Sequence, residues 1–169
     1  MFDKIGNLPL HPLVIHAAVI GIPLAVLLAF LFAFPKTRAW ARWPLAIVGV
    51  GATAVTFVAR QSGLALEASL GIRPPSPVAT LIAKHYQLGN QLLYIMIGFT
   101  VIALLNIFLV SPSTAGDTPG ASTQPAIVRV VLPILLLVVA LVALVWVVRV
   151  GDLGATAVWN PTAPPMIPF

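Results

Sequence analysis

Cysteine is absent from the chain. That excludes disulfides, thiolate metal sites and covalently attached haem, and it removes the usual clue to redox compartment. Charge is scarce too: only 8% of the 169 residues are Asp, Glu, Lys or Arg, against about 25% in a typical soluble domain. A surface so poor in charge cannot be mostly wet. Four acidic residues stand against nine basic ones, for a formal charge of +5. The basic residues are scattered, so nothing forms the patch that grips nucleic acid, and the basic isoelectric point reflects the shortage of Asp and Glu. What fills the chain instead is apolar, with 60% hydrophobic residues and a mean hydropathy of +1.06. This is the composition of an integral membrane protein, whose first partner is the lipid bilayer.

Four stretches reach the ~20 residues that a bilayer demands. They cover about 13–34, 44–60, 88–110 and 127–148, which predicts an all-α, four-transmembrane-helix bundle over residues 1–159 and a Pro-rich extended tail over 160–169. Pro12 suits a first helical turn, and Pro23 frees the carbonyl of Val19, so a bend is expected there. The first apolar run is too long for a signal peptide. Its only small-x-small candidate, Ala39-Trp40-Ala41, lies among Lys36, Arg38 and Arg42, which predicts a retained helix. Residues 35–43 read as a loop with Trp40 and Trp43 as interfacial anchors. The second helical pattern continues past Arg60 toward Leu70 and sets Arg60 and Glu67 near one face. Ser76-Pro77 reads as an N-cap and a first-position proline. His85 then falls on an apolar stripe. Residues 111–125 read as a polar loop, and Gly151-Asp152-Leu153-Gly154 as the end of the last helix.

Four spans put both termini on the same side. His11, His16, Arg60, Glu67, His85, Arg149 and Asp152 are thereby expected in one leaflet or just outside it. The basic residues of 35–43 argue that the opposite end is cytoplasmic, which places the termini and the polar cluster outward. An internal echo accompanies this arrangement. Each half begins near a histidine, His16 or His85, and ends on a similar phrase, Val58-Ala59-Arg60 before Gly63 or Val147-Val148-Arg149 before Gly151. A parallel duplication would relate the halves by a pseudo-twofold axis along the membrane normal.

Taken in order, His11-Pro12 to His16 with Pro23, Ser62-Gly63 to Glu67, His85 with Gly89, and Gly151-Asp152-Leu153-Gly154-Ala155 to Trp159 form a pattern. It resembles the bacterial membrane proteins of the domain of unknown function 2231 family, particularly the short four-helix members. The resemblance runs from about Leu8 to Trp159. One departure is Leu64, where similar proteins often carry an acid, which leaves Glu67 as the nearby carboxylate. The resemblance implies the plasma membrane of a bacterial cell, and a respiratory setting, because similar proteins carry this module beside redox domains. It implies no particular activity.

Two readings of the polar cluster compete. In the first, the chain is a non-catalytic accessory subunit of a larger membrane complex, and the cluster is a structural network or a docking surface for other subunits. In the second it carries haem b, with His16 and His85 as axial ligands from the two halves and Arg60 and Arg149 at the propionates. A zinc or copper site would draw on His11, His16 and His85, but a fourth position stays open, and residues five apart do not share a helical face. A triad of Ser62, His85 and Glu67 or Asp152 lacks a nucleophile elbow, which makes catalysis the weaker expectation, and proton or solute transport lacks an acid mid-membrane. Thr53, Thr56, Thr100 and Asn106 read as helix–helix hydrogen bonds.

Overall fold

A computed structural model describes residues 4–72, 74–110, 125 and 127–162. A short antiparallel ribbon, β1 (Lys4–Ile5) and β2 (Leu8–Pro9), leads into helix α1, Leu10–Ala33. Helix α2 spans Pro35–Leu70 and α3 spans Pro77–Leu109. A π-helical turn, Ile127–Val131, runs directly into α4, Leu132–Trp159. All four helices are long and apolar enough to cross a bilayer. They alternate in direction, so the start of α1 and the end of α4 lie at one end of the bundle.

The segment 35–43 is not the expected loop. Phe34 alone separates α1 from α2, and Pro35 opens α2 at a position where its missing N–H removes no bond. The reason lies in Arg38, which is only 6% exposed. Its Nε donates to the Phe32 carbonyl and its guanidinium to the Ala33 carbonyl, each at 3.1 Å, while its carbon sits 5.6 Å from the centre of the Phe32 ring. Thr37 Oγ donates to the Leu31 carbonyl. These groups satisfy the last carbonyls of α1, where the helix dipole favours a cation. Pro44, well inside α2, removes one backbone bond without ending the helix.

At 36 residues, α2 is longer than any one span requires; at 1.5 Å per residue it covers about 54 Å, against a hydrocarbon core of about 30 Å. Part of it therefore stands beyond the hydrocarbon. Gly71 closes it with a φ of 61°, the left-handed conformation that glycine adopts at low cost. Helix α3 starts as expected, with Ser76 Oγ accepting from the Ala79 N–H at 3.1 Å. Helix α4 does not stop at residues 151–154 but continues to Trp159. The expected loop 111–125 and tail 160–169 lie, apart from Pro125 and residues 160–162, outside the described residues.

Helix α1 packs on α2 and α4, and α3 packs on the same two, so α1/α3 and α2/α4 are the diagonals of a four-helix bundle. Ile22, Phe32, Leu45, Met96, Phe99, Ile107 and Leu136 fill its centre with no exposed surface. Alanines 25, 29, 41, 52, 103, 140 and 143 lie between them and let the backbones approach. Polar groups stitch the seams. The Thr53 and Thr100 hydroxyls lie 2.7 Å apart and 3.1 Å from the Met96 and Gly49 carbonyls respectively, and their two protons serve two of these three contacts, joining α2 to α3. Asn106 Nδ2 spans α3 to α4, donating to Ile102 at 2.9 Å and Leu132 at 3.0 Å. Thr56 instead bonds back to Ala52 of its own helix. Outward-facing side chains such as Ile20, Ile47, Ile97 and Phe108 are exposed and apolar, as a lipid-facing surface requires.

Candidate functional site

The site grows from the inward stripe of α1. His11 stands in the first turn, followed on the same face by buried Ala18, Ile22, Ala25 and Ala29. In α3 the same spacing leads from His85 to buried Leu92, Met96, Phe99 and Ala103. Two histidines on diagonal helices thus point into one end of the bundle. Their ring centroids are 6.1 Å apart and their planes cross at 89°.

Each ring is held from behind by the other helix of its own hairpin. His11 Nδ1 lies 2.9 Å from the Ala59 carbonyl of α2, and His85 Nδ1 lies 3.0 Å from the Val150 carbonyl of α4. A carbonyl oxygen only accepts, so each Nδ1 carries a proton, and in the neutral ring Nε2 then keeps its lone pair. No group among the described residues bonds either Nε2. Glycine makes the approach possible. A helical carbonyl is flanked by the residue four positions on, and those residues are Gly63 and Gly154. A Cβ at Gly63 would stand 3.2 Å from His11 Cε1, and one at Gly154 would stand 3.0 Å from His85 Cε1. Ser62, with 1% exposure, adds a second contact to His11 Nδ1 at 3.3 Å while donating to the Ala59 carbonyl at 3.0 Å.

The two halves therefore share one design, but not in the register that the sequence suggested. His11 corresponds to His85, Ala59 to Val150 and Gly63 to Gly154. The same register pairs buried Leu45 with Leu136, Gly49 with Ala140, Ala52 with Ala143 and Thr56 with Val147. His16 is not the partner of His85. Five residues after His11 it is rotated by about 140° at 100° per residue. It is exposed, with Nδ1 at 2.6 Å from the Pro12 carbonyl of its own helix. The same rotation keeps His16 off the face that carries His11, and no group of three or more His, Asp or Glu able to hold a metal occurs among the described residues.

The remaining candidates surround the pair without joining it. Arg60 donates to Asn90 Oδ1, to Gln61 at 2.7 Å and to the Tyr86 hydroxyl at 2.9 Å, with its guanidinium 5.5 Å from the Tyr86 ring centre. The Arg149 guanidinium sits 5.5 Å from the centre of the Trp146 ring, and Trp146 Nε1 donates to Gln91 at 3.0 Å. Asp152 is half-buried and Glu67 is exposed. Sequence reasoning missed Tyr86, Asn90, Gln91 and Trp146, and it read Gly154 as a helix end. One signal was present: only His11 lies in phase with the small-residue stripe of α1.

Fold and site together define a multi-pass membrane protein with paired helical hairpins and a histidine from each at their meeting point. The chain belongs to the DUF2231 family, described as predicted membrane proteins, whose model matches residues 7–162. No curated protein and no solved structure matches the chain.

Proposed function

We propose that the chain is a non-catalytic accessory subunit of a bacterial membrane complex, in a redox or respiratory setting, that carries a metal centre on His11 and His85. One observation carries this reading. Both imidazoles are held at Nδ1 by backbone carbonyls, which leaves Nε2 as the nitrogen free to ligate, and their ring centroids lie 6.1 Å apart across the bundle. Histidine at the inner face of a membrane bundle is expensive unless it is used. The reading is non-catalytic because Ser62 is turned onto the Ala59 carbonyl and Glu67 is exposed, so neither offers a nucleophile or base to the pair. The haem alternative moves with the geometry, from His16 and His85 to His11 and His85.

In this reading the protein sits in the plasma membrane with its termini and the histidine pair outside. Lys36, Arg42 and Arg129 at the opposite end, with exposed Trp40 and Trp43, support a cytoplasmic assignment for that end. The test is elemental analysis and a reduced-minus-oxidised visible spectrum of the detergent-purified full chain. Metal or haem is expected in wild type and in His16→Ala, and should be lost from His11→Ala and His85→Ala. A folded wild-type sample that holds neither, and takes up neither when offered, would sink the reading.

A further inference from the structure

We infer that Arg60, Gln61, Tyr86 and Asn90 form a binding site for the phosphodiester of an anionic glycerophospholipid, on the lipid-facing side of the seam between α2 and α3. The inference is independent of whether the histidine pair holds a metal.

Hydrogen bonding leaves this cluster with donors to spare. Arginine carries five N–H donors and no acceptor. Nε, Nη1 and Nη2 of Arg60 donate to Asn90 Oδ1, Gln61 Oε1 and the Tyr86 hydroxyl, respectively. A guanidinium only donates, so the amide oxygens are the atoms that face it. What remains is one hydrogen on each of Nη1 and Nη2, the Tyr86 hydroxyl proton, and the N–H groups of the two amides. No acceptor among the described residues bonds those amide nitrogens. The buried side-chain polar atoms without a partner there lie on Arg42 and Asn106, so the nitrogens of Gln61 and Asn90 open to the surface. Each amide nitrogen shares a carbon with the oxygen that Arg60 holds, so the spare donors gather around one guanidinium. Its bonded partners are all neutral and leave its charge uncancelled. Such a cluster selects an anion with several oxygens. The Tyr86 ring, 5.5 Å from the guanidinium carbon, helps to hold the charge in place before a ligand arrives.

Depth selects the source of that anion. Exposed Trp43 marks the interface at the far end of the bundle. Helix α2 rises about 26 Å from Trp43 to Arg60, against a hydrocarbon core of about 30 Å. The cluster therefore sits at the opposite boundary, at the level of lipid ester and phosphate groups. Toward the bilayer centre, Phe57 and Val50 continue its face along α2, and Ile97 and Val101 continue it along α3. All four are apolar and exposed, a track for acyl chains below the phosphate. A neutral headgroup, as in phosphatidylglycerol, fits better than the ammonium of phosphatidylcholine, which would set a second positive charge beside Arg60. Glu67 is the carboxylate on nearly the same face of α2. It stands about 10 Å farther along the helix and is exposed, where water and salt screen it.

The internal repeat sets the number of sites. The register that pairs Ala59 with Val150 and His11 with His85 puts Gly151 opposite Arg60, Pro12 opposite Tyr86 and His16 opposite Asn90. The seam between α4 and α1 thus lacks this donor cluster, and one lipid per chain is expected.

The test is native mass spectrometry of the full chain in detergent, with phosphatidylglycerol and phosphatidylcholine of matched acyl chains. One phosphatidylglycerol should be held per chain, roughly tenfold more tightly than phosphatidylcholine. Arg60→Gln should abolish that preference and Tyr86→Phe should weaken it by about threefold. Lys36→Gln, a charge removed at the other end, should leave it intact. A second measurement uses wild type alone, in phosphatidylcholine nanodiscs doped with phosphatidylglycerol. The nitrogen-15 signals of Arg60 Nε and of the Gln61 and Asn90 amides should move with the anionic lipid and stay still with inorganic phosphate. Equal retention of the two lipids, or a preference that survives in folded Arg60→Gln, would overturn the inference. So would the same shifts from inorganic phosphate, which would make the site one for a free anion.

Discussion

Replacing Gly154 by alanine adds one methyl group to the wall behind His85, and the structure says where it goes. The new Cβ would lie 3.0 Å from His85 Cε1 and 3.3 Å from Nδ1. Comfortable carbon contacts begin near 3.5 Å, so the ring must retreat by about 0.5 Å. Its bond to the Val150 carbonyl, now 3.0 Å, would then stretch to about 3.5 Å, past the useful limit. Losing such a bond costs about 0.5–1.5 kcal/mol, and forcing a methyl into a packed site costs about 1–3 kcal/mol. In water, alanine would recover about 1 kcal/mol of helix propensity. Within a bilayer the helices form before they pack, so most of that gain is absent from the folding step. The expected net loss is about 1–3 kcal/mol. Thermal unfolding in detergent measures it, with Gly151→Ala as the control, because a Cβ there meets nothing within 4 Å. Equal stability for the two variants, with the His85 Nδ1 proton still hydrogen-bonded by nitrogen-15 NMR, would refute the close-approach argument.

Four further outcomes are expected. Arg38→Ala should destabilise the protein by about 1.5–3 kcal/mol, since it removes charged donors from the Phe32 and Ala33 carbonyls; denaturation by SDS measures it. Arg38→Lys should recover only part of this, because an ammonium lacks the planar fork. Asn106→Ala should cost about 0.6–1.7 kcal/mol in the same assay, the range for interhelical bonds in membranes. Its loss is tempered because Oδ1 is buried without a partner among the described residues, and its desolvation penalty disappears with the side chain. His16→Ala should stay within about 0.5 kcal/mol of wild type in thermal unfolding. With no native cysteine to remove, Ser69→Cys should react with an impermeant maleimide from outside intact cells and Lys36→Cys only after lysis, and the reverse pattern would invert the proposed orientation.

Most of the fold was legible because membrane constraints leave few choices. Apolar length gave four helices, and Ser76-Pro77 marked a start that local hydrogen bonding enforces. Prolines and basic residues were more ambiguous. Lys36, Arg38 and Arg42 look like an interfacial loop in sequence, yet Arg38 turns inward to close the end of α1, a choice set by three-dimensional proximity to carbonyls. Glycine was ambiguous in the same way: residues 151–154 have the composition of a helix end, but a packed neighbour makes Gly154 useful within the helix. The contact between His11 and His85 was hidden for a related reason. Apolar length starts the first span at about residue 13, and only the helix start at Leu10 brings His11 into phase with Ala18 and Ala25. Tyr86, Asn90 and Gln91 offered no motif at all, since their partners are 26, 30 and 55 residues away.

The clamping of each imidazole within its own hairpin has a consequence for assembly. The hairpin of α1 and α2 contains one histidine, its carbonyl and its glycine, and the hairpin of α3 and α4 contains another such set. Each can therefore hold its ring before meeting the other. Under the proposed metal-binding role neither hairpin owns a complete site, and occupancy would report whether the halves have come together. Chains severed between residues 70 and 77 and expressed as two pieces would recreate that encounter.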